Sequence, residues 1–208
     1  MALQKKNVIV GAARLWLAAP DAARPTFTSA TSGITTMNGA AGWTEAGYTQ
    51  EGLELSYEPE YTDVEVDQIG DAVRTFQSSL RVNLNTTFAE ASLTNLMIAW
   101  GQAATSLTSS GTTTELIIEG VLLGAAPEER QVLAIGNGTE EVAGKWNERI
   151  YHAYRATSVE QVSTALRKTE AQTIPVSFRL LPVDDDVEVP GVPDARGYGK
   201  ITERLRNW

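Results

Sequence analysis

The sequence has no cysteine and a single histidine, His152. Without thiols there is no disulfide framework, no thiol nucleophile and no thiolate zinc site, and nothing marks a redox compartment. No apolar run reaches the ~20 residues that a membrane-spanning helix requires. The nearest approach, Val8–Ala19 behind Lys5 and Lys6, has the outline of a signal peptide. Arg14 interrupts it and Asn7 and Gly11 weaken it, so it reads as a strand followed by a loop at Pro20-Asp21. With 208 residues the chain suits one domain. A domain of that size buries roughly 70% of its unfolded surface without a covalent or metal staple.

Base is also scarce where acid is dense. Between Trp43 and Asp71 stand Glu45, Glu51, Glu54, Glu58, Glu60, Asp63, Glu65, Asp67 and Asp71, with no Lys, Arg or His among them. These are nine of the 26 acids, and the other 17 match the 17 bases, so the net charge of −9 resides in this stretch. Such a balance argues against a protein that neutralises nucleic-acid phosphates or docks on anionic lipid. The bland alternative for a charge run is a solvated face.

The dominant period is two, the strand signature. Leu80, Val82, Leu84, Thr86 and Phe88 alternate with polar residues, as do Leu53, Leu55 and Tyr57, then Thr62, Val64 and Val66. The apolar members should face protein, leaving Glu54 and Glu58, then Asp63, Glu65 and Asp67, as an acidic stripe. Further strands are expected near residues 7–17, 115–123, 130–135, 146–157 and 172–183. Leu116–Leu123 and Ile174–Leu181 look apolar enough for cover on both faces. One segment has helical spacing: Leu93, Leu96, Met97 and Trp100, with Thr87 or Ser92 as N-cap and Gly101 as C-cap, predict a single helix across a sheet. Val159, Val162 and Leu166 fit either a short helix or a strand.

Residues 1–183 are expected to form the β domain. An insertion at 18–42, rich in Ala, Thr, Ser and Gly, looks too poor in large apolar residues to join the core, and 105–114 reads as a loop. Residues 184–208 read as a C-terminal extension whose Ile201, Leu205 and Trp208 are candidate inter-subunit anchors.

Catalytic signatures are sparse. His152 lies in a strand-like run beside Tyr151 and Tyr154, without a nucleophile elbow elsewhere. Gly136-Asn137-Gly138 lacks the third glycine of a dinucleotide loop and reads as a hairpin turn. Asp184-Asp185-Asp186 with Glu188 lacks calcium-loop spacing and reads as a solvated linker. No pair of carboxylates stands out for glycoside hydrolysis. Neither an enzyme nor a cofactor or metal site is expected.

The segment Trp43-Thr44-Glu45-Ala46-Gly47-Tyr48-Thr49-Gln50-Glu51-Gly52 resembles the W-x-x-[LIA]-G-Y-T-x-[DE]-G segment of major tail proteins, the tail-tube subunits of long-tailed bacteriophages. Its motif positions are Trp43, Gly47, Tyr48 and Gly52. An acidic alternating stretch follows, then Phe88-Ala89-Glu90-Ala91-Ser92-Leu93-Thr94-Asn95-Leu96, similar to that family's strand-to-helix run with its Ala-Glu pair. The late strand from Ile174 to Pro182 and the closing Gly199-Lys200-Ile201 complete the order.

The resemblance implies a mainly β, tail-tube-like fold: a β-sandwich or partial barrel flanked by one α-helix. It implies hexameric rings stacked into a hollow tube, with the tape measure and terminator proteins as further partners. DNA would pass through without specific binding, and no membrane is involved. The virion tail would be the location, after assembly in the host cytoplasm. The acidic stripe would line the lumen or an interface, the bore being favoured because nine acids without a base look more like a field than a set of pairs. The rival is a monomeric carbohydrate-binding β-sandwich, which needs Trp16, Trp43, Trp100 and Trp146 on one exposed face.

Overall fold

The computed structural model describes residues 9, 11–25, 27, 42–66, 69–120, 126–142, 145–183 and 197–205. Among the described residues ten strands and one α-helix follow in the order β1 Arg14–Ala18, β2 Trp43–Glu45, β3 Thr49–Val66, β4 Ile69–Phe88, α1 Leu93–Ala99, β5 Leu107–Ser110, β6 Thr113–Leu116, β7 Glu129–Val142, β8 Lys145–Ser158, β9 Ile174–Leu180 and β10 Gly199–Arg204, with a 3-10 turn at Ala104–Ser106. One antiparallel sheet runs β2-β1-β7-β8-β9-β4-β3, and β10 also pairs with β8. The long strand β8 is the fork: residues 148–153 pair with β10 and residues 156–158 with β9. The inner faces of both branches, Leu15, Leu17, Val132 and Ala134 on one and Val82, Leu84, Phe88, Ile174, Val176 and Phe178 on the other, close on one core with Met97, Ile98 and Ala99 of α1. This is a mainly β sandwich or partial barrel with one flanking helix.

Strand β1 is buried on both sides. Leu15 and Leu17 enter the main core, while Trp16 and Ala18 join a second cluster with Trp43, Leu133, Ile135 and Ile150. Ala22 and Phe27 pack on that second cluster, so the start of the 18–42 insertion takes part in a core after all. Its Ala-rich composition concealed this, because polar bonds do much of the fastening. Gln131 Nε2 donates to the carbonyls of Ala19, Pro20 and Ala22 (3.2, 3.2 and 2.7 Å), and Trp43 Nε1 donates to that of Ala23 (3.1 Å).

Other expectations shift for identifiable reasons. Helix α1 is capped by Ser92, whose hydroxyl accepts from the Asn95 amide, but it has only seven residues and its buried face is Asn95, Met97, Ile98 and Ala99, leaving Leu93 exposed. Gly136-Asn137-Gly138 lies inside β7 at a register shift and is not a turn; a Cβ at Gly138 would stand 2.6 Å from the Glu203 carboxylate of β10, so close approach explains the glycine. Residues 107–116 form the β5–β6 ribbon in place of a loop. That ribbon lies off the main sheet, and the strand stops at Leu116 with Ile117 and Ile118 exposed, so double-sided cover fails there. In β9, Pro175 and Arg179 are exposed; Ser177 is buried because its hydroxyl donates to Asn85 Oδ1 (2.7 Å). Residues 159–173 form neither helix nor strand, with Leu166 exposed.

Candidate assembly surfaces

The two segments that carry the family wording meet in space. Ala89 N donates to the Tyr48 carbonyl (2.9 Å) and the Tyr48 amide donates to Glu90 Oε1 (2.9 Å). Asn95 Nδ2 donates to the carbonyls of Ala46 and Glu90 (both 2.8 Å). Gly47 has φ 79°, and a methyl group there would overlap the Glu90 carboxylate, so the glycine is demanded twice. Trp43 is buried, and Gly52 sits at the register shift between Gln50 and Leu53. Gly47 and Gly52 thus shape backbone, and Trp43 fills the second cluster. Tyr48 differs: it is 80% exposed while its backbone is held from both sides.

The acidic stretch forms the outer strand of a long hairpin. Strands β3 and β4, of 18 and 20 residues, greatly exceed the usual ~5–6. Strand β9 covers the edge of β4 only over Asn83–Phe88. Beyond the Pro59–Leu80 pair the two strands run on alone, and at ~3.3 Å per residue the overhang reaches roughly 20 Å. There Tyr61, Val64, Val73 and Phe76 are exposed, as is Tyr57 just inside the overhang. No described residue of the subunit forms a third layer for Thr62 and Val64 to face, so their own domain does not supply the protein that Thr62, Val64 and Val66 are expected to turn toward; the Val66 side chain lies outside the described residues.

The acids of this arm are sorted by their neighbours. Asp63 accepts from the Thr75 hydroxyl and Glu60 from the Ser79 hydroxyl (both 2.6 Å). Glu54, Glu58 and Glu65 are exposed, and Asp67 lies outside the described residues. Strand pairing sets Arg81 opposite Glu58 and Arg74 opposite Val64, so bases distant in sequence arrive beside the stripe.

At the arm's root, Leu55, Tyr57, Val82 and Leu84 face Tyr151, Tyr198 and Ile201 across an apolar groove of about 240 Å³. Ile201 and Leu205 are exposed, and Trp208 lies outside the described residues. Residues 199–204 of the expected extension are a strand of the domain sheet. Their lock is Arg204, whose Nε donates to Glu148 Oε2 (2.6 Å) with Glu148 fully buried. Glu203 accepts from Thr139 N (2.6 Å) and from Arg149 Nη2 (2.7 Å). Burial alone would raise the Glu203 pKa, but these donors override it and hold it at about 2.

His152 is buried. Gln131 spends its amide hydrogens on carbonyls, so its Oε1 accepts from His152 Nε2 at 3.1 Å. Burial, then the charges of Arg24 and Lys200, push the histidine down to about 3, and it stands neutral within an aromatic stack between Trp43 and Tyr154. The ring is held as a packing residue by these contacts. Asp184-Asp185-Asp186 and Glu188 lie outside the described residues. The carbohydrate platform is also overturned: Trp16 and Trp43 are buried in the second cluster, so those four tryptophans do not share an exposed face.

No helix among the described residues is long and apolar enough to cross a membrane. No curated protein matches the sequence. The sequence model described as phage tail tube protein matches residues 1–189.

Proposed function

The chain belongs to the phage tail tube protein family, and from that premise we propose that its copies close into hexameric rings that stack into a hollow conduit for DNA. It is a structural protein of the virion tail that assembles with itself and other tail components. In the proposed reading these include the tape measure and terminator proteins, and rings form in the host cytoplasm.

The observation that carries the ring reading is the β3–β4 arm, which sets exposed Tyr, Phe and Val side chains beyond the reach of its own domain. Exposed apolar surface of this kind marks an interaction site. A contact between unlike surfaces repeated around an axis closes a ring when the rotation closes. Because the arm's apolar residues belong against protein, its acids travel with them, and we place Glu54, Glu58, Asp63 and Glu65 at a contact between copies rather than in the bore. Ile201, across the groove from Leu55 and Tyr57, extends the same contact face, exposed Leu205 is a further anchor, and exposed Tyr48 adds a pre-ordered aromatic one. DNA traverses the tube without specific binding, consistent with the net charge of −9 per subunit.

Sedimentation and negative-stain microscopy of concentrated protein test this reading. Rings or tubes with six-fold end views are expected. A chain that stays monomeric at every concentration and salt overturns it.

A further inference from the structure

The β3–β4 ladder is irregular at the point where the arm leaves its domain. Glu60 pairs with Ser79 but Tyr61 pairs with Gln77, so Ser78 is an extra residue of β4 with nothing opposite it. Side chains close the gap: the Ser78 hydroxyl donates to the Glu60 carbonyl and Gln77 Nε2 to the Ser79 carbonyl (both 3.3 Å). A β-bulge of this kind re-aims the side chains beyond it on the bulged strand. On the domain side, the even-numbered Val82 and Leu84 of β4 share the inner face with Leu55 and Tyr57. Past Ser78 that parity is reversed, and Arg74 and Phe76 turn to the outer face. Residues directly opposite each other share a face, so Phe76 stands with Thr62 and Arg74 with Val64. The inner face of the arm carries Tyr61 with Gln77, and Asp63 with Thr75, whose hydroxyl bonds the carboxylate at 2.6 Å. Glu65, two residues beyond Asp63, falls on that inner face as well.

The bulge thus sorts the arm by chemistry. Its outer face gathers the exposed apolar side chains Val64 and Phe76 with Arg74, the only base between Pro59 and Leu80, and none of these pairs includes an acid. Had the strands paired straight through, Phe76 would fall opposite Asp63, and Val64 and Phe76 would be parted onto different faces. A neighbouring copy carries a net charge of −9, so it repels the face of Asp63 and Glu65 and attracts the face of Arg74. We propose, on the self-assembly reading above, that Thr62, Val64, Arg74 and Phe76 form the seat of the arm against an adjacent copy, and that the Ser78 bulge is the device that turns this seat outward. Asp63 and Glu65 ride on the reverse of the ribbon, beside the seat and not in it. The surface that receives the seat is apolar with an acidic margin.

The test reads the concentration at which assembly begins for Phe76→Ser and Arg74→Glu on one face, and for Tyr61→Ser and Asp63→Asn on the other. All four positions are exposed, so the thermal midpoint of the dissociated subunit should not move. The first two variants should raise the threshold at least tenfold and the last two by less than about twofold. The reverse order, or four equal thresholds, overturns the seat. A second pair of variants isolates the bulge. One serine inserted between Glu60 and Tyr61 gives Ser78 a partner and turns the arm over, whereas deleting Ser78 removes the bulge and leaves each face where it was. The insertion should block assembly at concentrations where the deletion still assembles, and equal thresholds for the two overturn the role given to the bulge. Should the outer-face variants assemble like wild type but fail to take up another tail component, the seat belongs to that component and not to a second copy. A wild type that never assembles removes the underlying assembly reading itself, an outcome distinct from all of these.

Discussion

Strand β7 and the outer half of β3 depart from ordinary one-sided alternation in opposite directions. From Gln131 to Ile135 every residue of β7 is buried, because the main core lies on one face and the second cluster, closed by residues 19–27 and Trp43, lies on the other. From Glu60 to Glu65 every residue of β3 is exposed, because no described residue covers either face. The first region obtains its order from its own subunit. The second has the hydrogen-bonded ladder of a sheet without the packing that makes a sheet stable by itself. A strand's sequence therefore decides which residues share a face, while the layers around it decide whether that face is inside.

Excising the arm is the sharpest way to break this contrast. Replacing residues 61–78 by Asn-Gly, which closes a two-residue hairpin on the Glu60–Ser79 pair, should change subunit stability by no more than ~0.5 kcal/mol. Assembly should vanish in sedimentation. A large loss of stability would mean that the arm packs on its own domain.

The covered side should respond in the opposite sense. Arg204→Ala removes the cation paired with the fully buried Glu148 and should cost about 3–5 kcal/mol in urea unfolding. Deleting residues 201–208 should do at least as much, since it also removes most of β10. If either change leaves stability untouched, the C-terminal strand is dispensable to the domain.

Acid probes the same side. His152 is neutral in the folded state, with its pKa depressed from about 6.5 to about 3. The unfolded chain takes up the proton first, so this contribution is complete above pH 6.5 and is lost as the pH falls toward 3. The loss should be on the order of 2 kcal/mol by pH 5. His152→Gln should flatten the stability profile between those pH values. Among the smaller effects, Gly47→Ala should cost roughly 1–3 kcal/mol, because it imposes a side chain at φ 79° and displaces Glu90. Thermal unfolding at pH 7 would register it.

Much of the sheet was legible because period-two alternation survives wherever one face is wet. Leu80 to Phe88 behaves this way throughout and Asn147 to Tyr151 over the first half of β8, with Val82, Leu84 and Ile150 inside, whereas 152–154 are buried in succession. The Trp43 and Gly47 motif was legible as wording, but its meaning depends on Glu90, more than forty residues away in the chain. The arm's exposure was not legible, since Val64 alternates with Asp63 and Glu65 in the same way whether a third layer exists or not. Arg24 left no signal either: its burial comes from Tyr154 and the cover over β7 and β8, which no local pattern encodes.

The arm also orders events in time. Its strands are joined directly at Val66 and Ile69, so it can zip as a local hairpin within microseconds. Strand β1 must wait for β7, since Trp16 pairs with Leu133 across more than a hundred residues, a slow kind of closure. A newly made chain therefore displays its most adhesive ribbon before its interior exists. The carboxylates along that ribbon act then as gatekeepers: like charge on neighbouring nascent chains keeps unfinished molecules apart until each has a finished surface to offer.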